Sequence, residues 1–225
     1  MQRNIDLKDF TTFGVSANAR HFATFSTEDE ARTLIRNNTE ELLILGGGSN
    51  LLLTQDFNGL VLKNEIKGIT IIAKEDTFVI LKVGAGEVWH DLVLYTIEQG
   101  YHGIENMSLI PGSVGASPMQ NIGAYGVEIK DVFEKLEAVE IQTAEIQTFS
   151  KDACAFGYRE SVFKRALKGK YIITHVYFRL SLTEKVSTHY GAIESELTKQ
   201  GISNPTSKDV SNAVIAIRSD RKSVV

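Results

Sequence analysis

The chain has 225 residues, 43% of them hydrophobic and 23% charged, and a formal net charge of −4 at pH 7. This size and composition allow one large or two small soluble domains with a substantial core, and the absence of a basic stripe argues against a nucleic-acid partner. Cys154 is the single cysteine, which excludes an internal disulfide framework, and the first residues lack the apolar core of a signal peptide. We therefore expect a cytoplasmic protein with no membrane partner and no obligate protein partner.

Two predicted elements precede the first unusual motif. Thr27 starts a helix, because a capping-box spacing connects it to Glu30, and Asn37 and Asn38 end that helix. Residues 41–45 form an apolar run bounded by glycine, which is typical of a buried strand in a parallel sheet. Before the helix we expect irregular segments and short strands.

Three adjacent glycines, Gly46, Gly47 and Gly48, follow that strand and lead into Ser49 and Asn50. Such a run loses much backbone entropy on folding, so it needs a structural reason. One reason is a tight turn between strands, and the other is close approach of main-chain amides to a phosphate. The loop is not a nucleotide-binding P-loop, because no Gly-Lys-Ser or Gly-Lys-Thr ending follows it.

A second glycine motif, Gly84-Ala85-Gly86, lies between a predicted strand and a predicted helix. This order is that of a Rossmann dinucleotide-binding fingerprint. However, Trp89 occupies the third glycine position, where it would block the close helix–strand packing that glycine allows. We therefore expect no Rossmann fold, and we expect Trp89 to lie in the core.

The longest uncharged stretch runs from Asn106 to Val127, and residues 109–126 within it contain four glycines and two of the three prolines. The prolines, the glycines, and the polar Gln120 and Asn121 exclude a membrane span. Small residues let a large ligand approach the main chain, whose free N–H groups suit phosphate oxygens. A buried loop is the alternative, but such a loop is normally shorter and more polar, so we favour a ligand-binding loop.

The remaining elements follow from hydrophobic periodicity. Strands are predicted at residues 60–63, 69–73, 78–83, 133–141, 145–149 and 171–180, and helices around residues 88–97, 150–156, 190–199 and 208–218. The strands at 133–141 and 145–149 are predicted to form a hairpin.

Arg159 is the one charged residue that we single out as a candidate. A surface salt bridge is its simpler interpretation. Its neighbours Tyr158 and Ser161, close after the uncharged stretch, favour a site in which Arg159 binds a carboxylate or stabilises developing negative charge.

Other catalytic chemistries have no signature in the sequence. The five histidines lack metal-ligand spacing, and no Gly-x-Ser-x-Gly motif supplies a nucleophile. We interpret Cys154 as a core residue, and Glu28 and Glu30 as solvated carboxylates at a helix start. A site built mainly from backbone donors remains, which is how a protein holds a large cofactor that carries its own chemistry.

Four motifs together resemble the UDP-N-acetylenolpyruvoylglucosamine reductase family: GGGSNLL from Gly46, GAGEVWHDL from Gly84, LIPGSVGASPMQNIGAYG from Leu109 and FGYRESVFK from Phe156. The similarity runs from about residue 13 to residue 218, and Tyr190-Gly191 resembles the type I branch. The resemblance implies an α+β FAD-binding fold of the vanillyl-alcohol-oxidase (PCMH) kind. Two α+β subdomains, residues 1–67 and 68–205, would clasp FAD, and residues 206–225 would form a helix leading to a further domain.

The resemblance also implies roles for individual residues. Arg159 matches the family's catalytic arginine, which polarises the enolpyruvyl carboxylate. The residues that match positions near the substrate are Tyr125, Tyr158, Tyr190 and Arg218. The implied FAD-binding residues are Gly46, Gly47, Gly48, Ser49, Asn50, Leu51, Pro111, Gly112, Gly115, Ala116, Ser117, Ile122, Gly123 and Ile173.

The implied reaction converts UDP-N-acetylglucosamine enolpyruvate to UDP-N-acetylmuramate for peptidoglycan synthesis, with NADPH as the reductant. Hydride passes by way of FAD to the vinyl carbon C3, and C2 is then protonated. An intermediate stabilised by its carboxylate needs a fixed cation beside it, which is a physical reason for Arg159 to matter.

The end of the chain departs from the family pattern. After Ile217-Arg218 the family continues with Lys-Leu-Pro-Asp-Pro, whereas this chain continues with SDRKSVV, in which Arg221 replaces the lysine. The serine that protonates C2, a late glutamate and the third, substrate-binding domain are missing, so we expect an FAD-binding fragment with little or no turnover. Two alternatives stay open: another FAD-dependent oxidase of the same fold, and a cofactor-free module that binds an anion.

Overall fold

A computed structural model describes residues 1–222, and the last three residues of the divergent tail lie outside the described residues, as does the side chain of Arg221. Two main sheets and a short ribbon account for the described strands. The strands are β1 (Gln2–Asp6), β2 (Asn18–Phe25), β3 (Leu42–Leu45), β4 (Phe57–Asn64), β5 (Ile69–Lys74), β6 (Phe78–Gly84), β7 (Gly123–Ala124), β8 (Val127–Glu128), β9 (Phe133–Glu140), β10 (Ile146–Ser150) and β11 (Tyr171–Ser181). The helices are α1 (Glu28–Arg36), α2 (Trp89–Glu98), α3 (Lys151–Cys154), α4 (Gly191–Lys199) and α5 (Ser207–Lys222).

The first sheet has the strand order β1-β2-β4-β3, and both β2 and β3 run parallel to β4. The predicted parallel pairing of β3 is therefore confirmed. Its predicted burial is wrong, since only Leu45 of β3 is buried and the other three residues are half-buried. The physical reason is that β3 is an edge strand with a partner on one side only.

The second sheet is antiparallel, with the strand order β10-β9-β11-β6-β5. The predicted hairpin is confirmed, since β9 and β10 pair directly. The central strand β11 is the longest, at 11 residues, and its apolar residues are buried against both neighbours. The largest core cluster covers this sheet with α2, and Trp89 is 1% exposed within it, as predicted.

A second core cluster joins the two sheets. It contains Phe25 and Leu62 from the first sheet and Val139 and Ile172 from the second, with Ala31 of α1 between them. Burial of these side chains fixes one sheet against the other, so a ligand held by both sheets meets a preformed surface.

The start of α1 is capped as predicted, with one difference. Thr27 Oγ1 accepts a hydrogen bond from the Glu30 amide at 3.2 Å, but the Glu30 carboxylate reaches the amide of Ser26 rather than that of Thr27. The interpretation of Glu28 as a solvated carboxylate is wrong. Its Oε1 accepts from Thr174 Oγ1 at 2.6 Å and lies 3.1 Å from His175 Nδ1, because α1 packs against the second sheet.

The two C-terminal helices pack on each other through a small apolar cluster of their own. Two side-chain hydrogen bonds attach α5 to the start of the uncharged stretch and to the residues before it: Ser108 to Ser211 at 2.8 Å and His102 to Ser207 at 2.7 Å. These contacts place the far end of α5 beside that stretch. Of the helices in residues 1–222, none has both the length and the apolar character needed to cross a bilayer.

Candidate functional site

Two parallel strands of the first sheet end at the same edge, and the first candidate loop begins there. β3 leads directly into Gly46, and β4 ends at Asn64. In sheets with parallel strands, ligands bind beside the carboxyl ends of the strands. A cavity of about 480 Å³ opens at this edge, with Gly46, Gly47 and Gly112 in its lining.

The two glycine-containing loops meet in this cavity. A Cβ on Gly46 would lie 2.5 Å from Ser113 Oγ, and a Cβ on Gly47 would lie 3.0 Å from the Cα of Gly112. A side chain at Gly46 would displace the Ser113 hydroxyl, and a side chain at Gly47 would press on the main chain of the other loop. We call the main chain of residues 46–48 and 112–113 the glycine cradle.

The glycine cradle combines both interpretations of the first loop. Gly48 makes the turn: its φ is 63°, its carbonyl accepts from the Thr12 amide at 3.1 Å, and a Cβ there would overlap the Phe10 carbonyl. Within residues 1–222 the amides of Gly47 and Gly112 donate no main-chain hydrogen bond. They are therefore free to donate to a ligand oxygen.

Other candidate residues for the cofactor fall into two groups. Gly115, Ala116 and Ile173 line a narrower cavity of about 150 Å³, which shares Gly46 with the first. Six candidates, among those that the structure describes, line none of the cavities considered in this section: Gly48, Ser49, Asn50, Leu51, Pro111 and Ser117. Ser117 is buried, and its Oγ donates to the Val114 carbonyl at 2.6 Å, which is a structural contact.

Sequence reasoning missed several side chains around the glycine cradle. Asn64 is 8% exposed, donates to the Ile173 carbonyl at 2.9 Å and accepts from the Ile66 amide at 3.1 Å. Lys63 and Lys67 also line the cavity, and Lys67 Nζ donates to the Gly86 carbonyl at 2.5 Å. A polar residue at the end of an apolar strand is the signal that could have identified Asn64.

The second candidate region is a cavity of about 700 Å³, which we call the arginine cavity. Its lining includes Arg159, Arg218 and the three candidate tyrosines, Tyr125, Tyr158 and Tyr190. The rings of Tyr125 and Tyr190 meet edge to face, with centroids 5.3 Å apart and an angle of 88°. The structure thus brings all the candidate catalytic and substrate residues into one cavity.

A smaller cavity of about 170 Å³ adjoins the arginine cavity and shares Arg159, Arg218 and Gly123 with it. Ile122 also lines it. The two predicted FAD residues in this cavity, Ile122 and Gly123, are separated by Asn121 alone from the 3-10 segment Val114–Gln120, which contains Gly115 and Ala116. A continuous run of the uncharged stretch therefore leads from the glycine cradle to the two arginines.

The two arginines are held differently. Arg218 Nε donates to the Leu109 carbonyl at 3.2 Å, which fixes one side of its guanidinium. Arg159 lies at the tip of a turn between Gly157 and Glu160, and no carboxylate within residues 1–222 forms an ion pair with it. Its charge is available to an anionic ligand.

Left-handed backbone conformations cluster around this cavity. Within residues 1–222, seven non-glycine residues have a positive φ, and Leu109, Asn121, Tyr125 and Arg159 are four of them. Such conformations cost on the order of 1 kcal/mol or more each and persist where surrounding contacts impose them. Their concentration here indicates a site whose geometry is imposed by its surroundings.

The electrostatic environment fits anion binding rather than nucleophilic catalysis. Burial raises the pKa of Cys154 to about 12, so this thiol stays protonated at neutral pH. Burial lowers the pKa of His90, which keeps the ring neutral, and His90 Nδ1 accepts from the Leu109 amide at 3.1 Å. In the arginine cavity, a hydrogen bond to Glu128 raises the pKa of Lys130.

One group of side chains could by distance hold a metal ion, although no ligand spacing predicted it. Ligand atoms of Glu28, Glu137 and His175 lie within 4.8 Å of one another. The Lys82 ammonium already supplies a positive charge there, 2.8 Å from Glu137 Oε2. Burial alone would raise the pKa of Glu137, but hydrogen bonds from Lys82 and Tyr177 outweigh it and lower the pKa.

Comparison with known families shows which family this chain belongs to. Residues 19–150, more than half of the chain, match the FAD binding domain family. The chain belongs to that family. The match covers the first glycine loop, the central uncharged stretch and most of both sheets.

The predicted resemblance to the reductase family is confirmed. The UDP-N-acetylenolpyruvoylglucosamine reductase of Flavobacterium johnsoniae is 50% identical over 223 residues, which is 98% of this chain. The chain spans 66% of that relative's length.

Solved structures confirm the predicted fold class. A UDP-N-acetylenolpyruvylglucosamine reductase from Thermus caldophilus superimposes with a TM-score of 0.69 at 24% identity, covering 97% of this chain and 68% of that one. p-Cresol methylhydroxylase superimposes with a TM-score of 0.55 at 14% identity, covering 77% of this chain and 37% of that one. The fold is the α+β FAD-binding fold of the PCMH kind.

FAD fits the residues that are present. Gly46, Gly47 and Gly112 leave main chain exposed where two loops meet, a Cβ on Gly47 would press on the main chain of the other loop, and the free amides of Gly47 and Gly112 match the oxygens of a diphosphate. The uncharged stretch then provides a neutral surface for a flat aromatic ring system. FAD is accordingly the cofactor of this chain.

Proposed function

We propose that this chain is the flavin-binding part of an NADPH-dependent reductase that converts UDP-N-acetylglucosamine enolpyruvate to UDP-N-acetylmuramate in peptidoglycan synthesis. The observation that carries the proposal is the unpaired guanidinium of Arg159 in a cavity that the uncharged stretch connects to the glycine cradle. The name of the Flavobacterium johnsoniae relative agrees with this assignment.

Residues of both loops would hold FAD. Main-chain amides of the glycine cradle would donate to its diphosphate, and Gly115, Ala116, Ile122, Gly123 and Ile173 would lie along its ring system. When bound, FAD supplies hydride transfer between the nicotinamide and the substrate. We keep Gly48, Ser49, Asn50, Leu51, Pro111 and Ser117 as candidates that support the loops rather than as contacts.

Side chains of the arginine cavity would bind the substrate. The Arg159 guanidinium would pair with the enolpyruvyl carboxylate and stabilise the negative charge that develops on it when C3 accepts hydride. Arg218, whose Nε is held by the Leu109 carbonyl, would present its remaining N–H groups to the same ligand. Tyr125, Tyr158 and Tyr190 would contact the sugar nucleotide with ring faces and hydroxyls.

We propose in addition that the subdomain boundaries fall at residues 67 and 205. The boundary at residue 67 is supported by the strands of the first sheet, which end at Asn64. The boundary at residue 205 rests on the family resemblance, since α4 and α5 on either side of it share an apolar cluster. The cytoplasm is the proposed location, because NADPH and nucleotide-activated sugars are made there.

An anaerobic titration of the FAD-loaded chain tests the proposal. NADPH is added until the flavin absorption band is bleached, and UDP-N-acetylglucosamine enolpyruvate is then added. If this chain holds all the residues that the reaction needs, we expect the oxidised band to reappear with UDP-N-acetylmuramate as the product. If residues beyond this chain supply the proton to C2, we expect no reoxidation, but a separate titration of the oxidised FAD-loaded chain with the enolpyruvyl compound should still shift the flavin band.

Two results would contradict the proposal. Oxygen consumption with an alcohol or sugar-lactone substrate, and no response to the enolpyruvyl compound, would identify another FAD-dependent oxidase. A melting temperature that saturating FAD leaves unchanged would favour a cofactor-free anion-binding module, because a ligand specific to the native state raises stability.

A further inference from the structure

Asn121 lies where the uncharged stretch meets the arginine cavity, and its side chain is almost completely buried. It is 1% exposed, and its φ of 45° is left-handed, a conformation that asparagine tolerates better than most residues do. It follows directly on the 3-10 segment Val114–Gln120. A buried polar side chain needs hydrogen-bond partners, and those of Asn121 belong to two other segments.

Main-chain groups satisfy both ends of the Asn121 carboxamide. Nδ2 donates to the Gly157 carbonyl at 3.0 Å, and Oδ1 accepts from the Lys130 amide at 3.0 Å. A carbonyl on one side and an N–H on the other fix the orientation of the carboxamide, because the flipped orientation would place donor against donor.

The Gly157 carbonyl belongs to the turn that carries Arg159. Gly157 and Glu160 exchange two main-chain hydrogen bonds, at 3.0 and 3.2 Å, so Tyr158 and Arg159 form the tip of the turn. Arg159 is left-handed there, with a φ of 49°, and Tyr158 is 85% exposed. At the tip, the Arg159 carbonyl accepts a hydrogen bond from Lys164 Nζ at 3.0 Å at the protein surface, so the buried support of the turn comes from its base.

Two buried side-chain contacts hold that base. One is the Asn121 hydrogen bond to Gly157, and the other runs from Ser161 Oγ to the Met119 carbonyl at 2.7 Å. Both connect the turn to residues 119–121, immediately before Ile122 and the small cavity that Arg159 also lines. A change at either contact moves the guanidinium relative to the uncharged stretch.

We propose that Asn121 is a positioning residue, which holds the turn of residues 157–160 so that the Arg159 guanidinium faces a carboxylate ligand in the arginine cavity. The inference rests on the proposed function, since it assigns Asn121 a part in binding the enolpyruvyl carboxylate. Asn121 itself acts only through Arg159.

A double-mutant cycle tests this coupling. The FAD-loaded chain, with Arg159 or with Arg159→Gln, is titrated with UDP-N-acetylglucosamine enolpyruvate and with UDP-N-acetylglucosamine, which lacks the carboxylate. Asn121→Gly keeps the left-handed backbone, and we expect it to weaken binding of the enolpyruvyl compound about tenfold, a loss in the range of one charge-assisted hydrogen bond. Binding of UDP-N-acetylglucosamine should not change, and in the Arg159→Gln background the Asn121→Gly effect should disappear.

Asn121→Asp is a second variant in case Asn121→Gly does not fold. It keeps the acceptor for the Lys130 amide and cannot donate to Gly157 when ionised, so we expect the same direction of effect. The control is Asn106→Gly. Asn106 is also 1% exposed, but it donates to the carbonyls of Tyr125 and Ser187 and not to the Arg159 turn. Asn106→Gly should weaken the binding of both ligands, and this loss should persist in the Arg159→Gln background.

Amide hydrogen exchange on the ligand-free chain separates this inference from the proposed function. Faster exchange at the Glu160 amide in Asn121→Gly, with unchanged exchange in β9 and β11, is the expected result, because that amide donates to the carbonyl that Asn121 holds. If the wild-type chain does not bind the enolpyruvyl compound, the proposed function is wrong and the exchange result alone decides the positioning. Unchanged exchange at Glu160, or an Asn121→Gly effect that persists with Arg159→Gln, would overturn the inference.

Discussion

The glycine cradle and the arginine cavity present different parts of the protein chain to a ligand. The glycine cradle presents main chain: four of its five residues are glycines, and its two loops touch at Gly47 and Gly112. The arginine cavity presents long side chains from four separate segments, represented by Tyr125, Arg159, Tyr190 and Arg218. The glycine cradle depends on the absence of side-chain atoms, whereas the arginine cavity depends on the placement of side-chain atoms.

This difference determines how each region tolerates change. A main-chain surface has few degrees of freedom, so it is rigid as long as the loops stay in contact, and any added atom damages it. A guanidinium on a flexible stem must be held by further contacts, such as the hydrogen bond from Arg218 to Leu109. We therefore expect large and uniform losses in the first region, and smaller losses specific to one ligand in the second.

The largest expected effect is in the glycine cradle. Gly47→Ala places a Cβ 3.0 Å from the Cα of Gly112 and 3.2 Å from the amide nitrogen of Ser113, so the two loops must separate. Loss of two hydrogen bonds to a charged diphosphate corresponds to about 100-fold weaker binding. Titration of FAD by fluorescence quenching measures the loss.

Gly191→Ala is the matched control for that change. It adds the same methyl group at the first residue of α4, where a Cβ would meet nothing within 4 Å. FAD affinity should stay at the wild-type value. If Gly47→Ala also binds FAD as tightly as the wild-type chain, then close contact of the two loops is not what forms the glycine cradle.

Arg159→Gln should produce the next largest effect, confined to the arginine cavity. Removal of the guanidinium should weaken binding of UDP-N-acetylglucosamine enolpyruvate about 10- to 100-fold, the range of one or two charge-assisted hydrogen bonds, and leave FAD affinity unchanged. Both constants can be measured on one sample, by FAD titration followed by titration of the sugar nucleotide.

Arg165→Gln tests whether the effect of Arg159 is local. Arg165 lies six residues further along and pairs with Glu160 at 3.1 Å, outside the arginine cavity. Its removal should change neither affinity by more than about twofold, because exposed ion pairs contribute little. Equal losses in the two variants would mean that net charge, and not a placed guanidinium, attracts the ligand.

The same contrast explains what could be predicted from sequence. The glycine cradle is encoded locally, since Gly46-Gly47-Gly48 directly follows a strand and the constraint that requires glycine acts on the adjacent backbone. The fold class could be predicted because four motifs occur in a fixed order along the sequence. What local patterns could not predict is that the loops touch each other, which depends on how the two sheets pack.

The supporting residues of the site were not predictable in that way. Asn64 and Asn121 hold carbonyls that lie 109 and 36 residues away in sequence. The interpretation of Glu28 is wrong for the same reason. Its position at a helix start indicates a solvated carboxylate, but packing of α1 on the second sheet brings it to Thr174 and His175. Residue type alone contains no information about such long-range partners.

A smaller effect is expected where a change lies in neither region. Thr27→Ala removes the Oγ1 acceptor that caps α1, which should lower the free energy of unfolding by about 1 kcal/mol. Urea unfolding measures this change, and both ligand affinities should remain at the wild-type values. Thr33→Ala, at an exposed position inside the same helix, is the control and should be neutral or slightly stabilising. A change in FAD affinity with Thr27→Ala would show that the helix end contributes to the glycine cradle.

The smallest expected effect concerns pH and separates the two regions once more. His90 Nδ1 accepts from the Leu109 amide, and the Leu109 carbonyl holds Arg218. Burial lowers the pKa of His90 below its ordinary value, with Asp91 opposing the shift. As pH falls, the unfolded chain therefore takes up the proton before the folded chain does. The stability that neutral His90 contributes to the folded chain is fully present above the unfolded pKa of about 6.5, and it is lost as pH falls through the lower folded pKa.

Protonation of His90 replaces the acceptor by a donor that faces the Leu109 N–H, so Leu109 and with it Arg218 should shift at low pH. We expect affinity for the enolpyruvyl compound to fall a few-fold as pH decreases below 6.5, whereas FAD affinity should depend less on pH, because no histidine lines the glycine cradle within residues 1–222. His90→Asn provides the control: its Oδ1 can accept from Leu109 and does not titrate, so the difference from the wild-type pH profile cancels any titration of the ligand. Identical profiles in the two proteins would exclude His90 as the cause of any pH dependence in the arginine cavity.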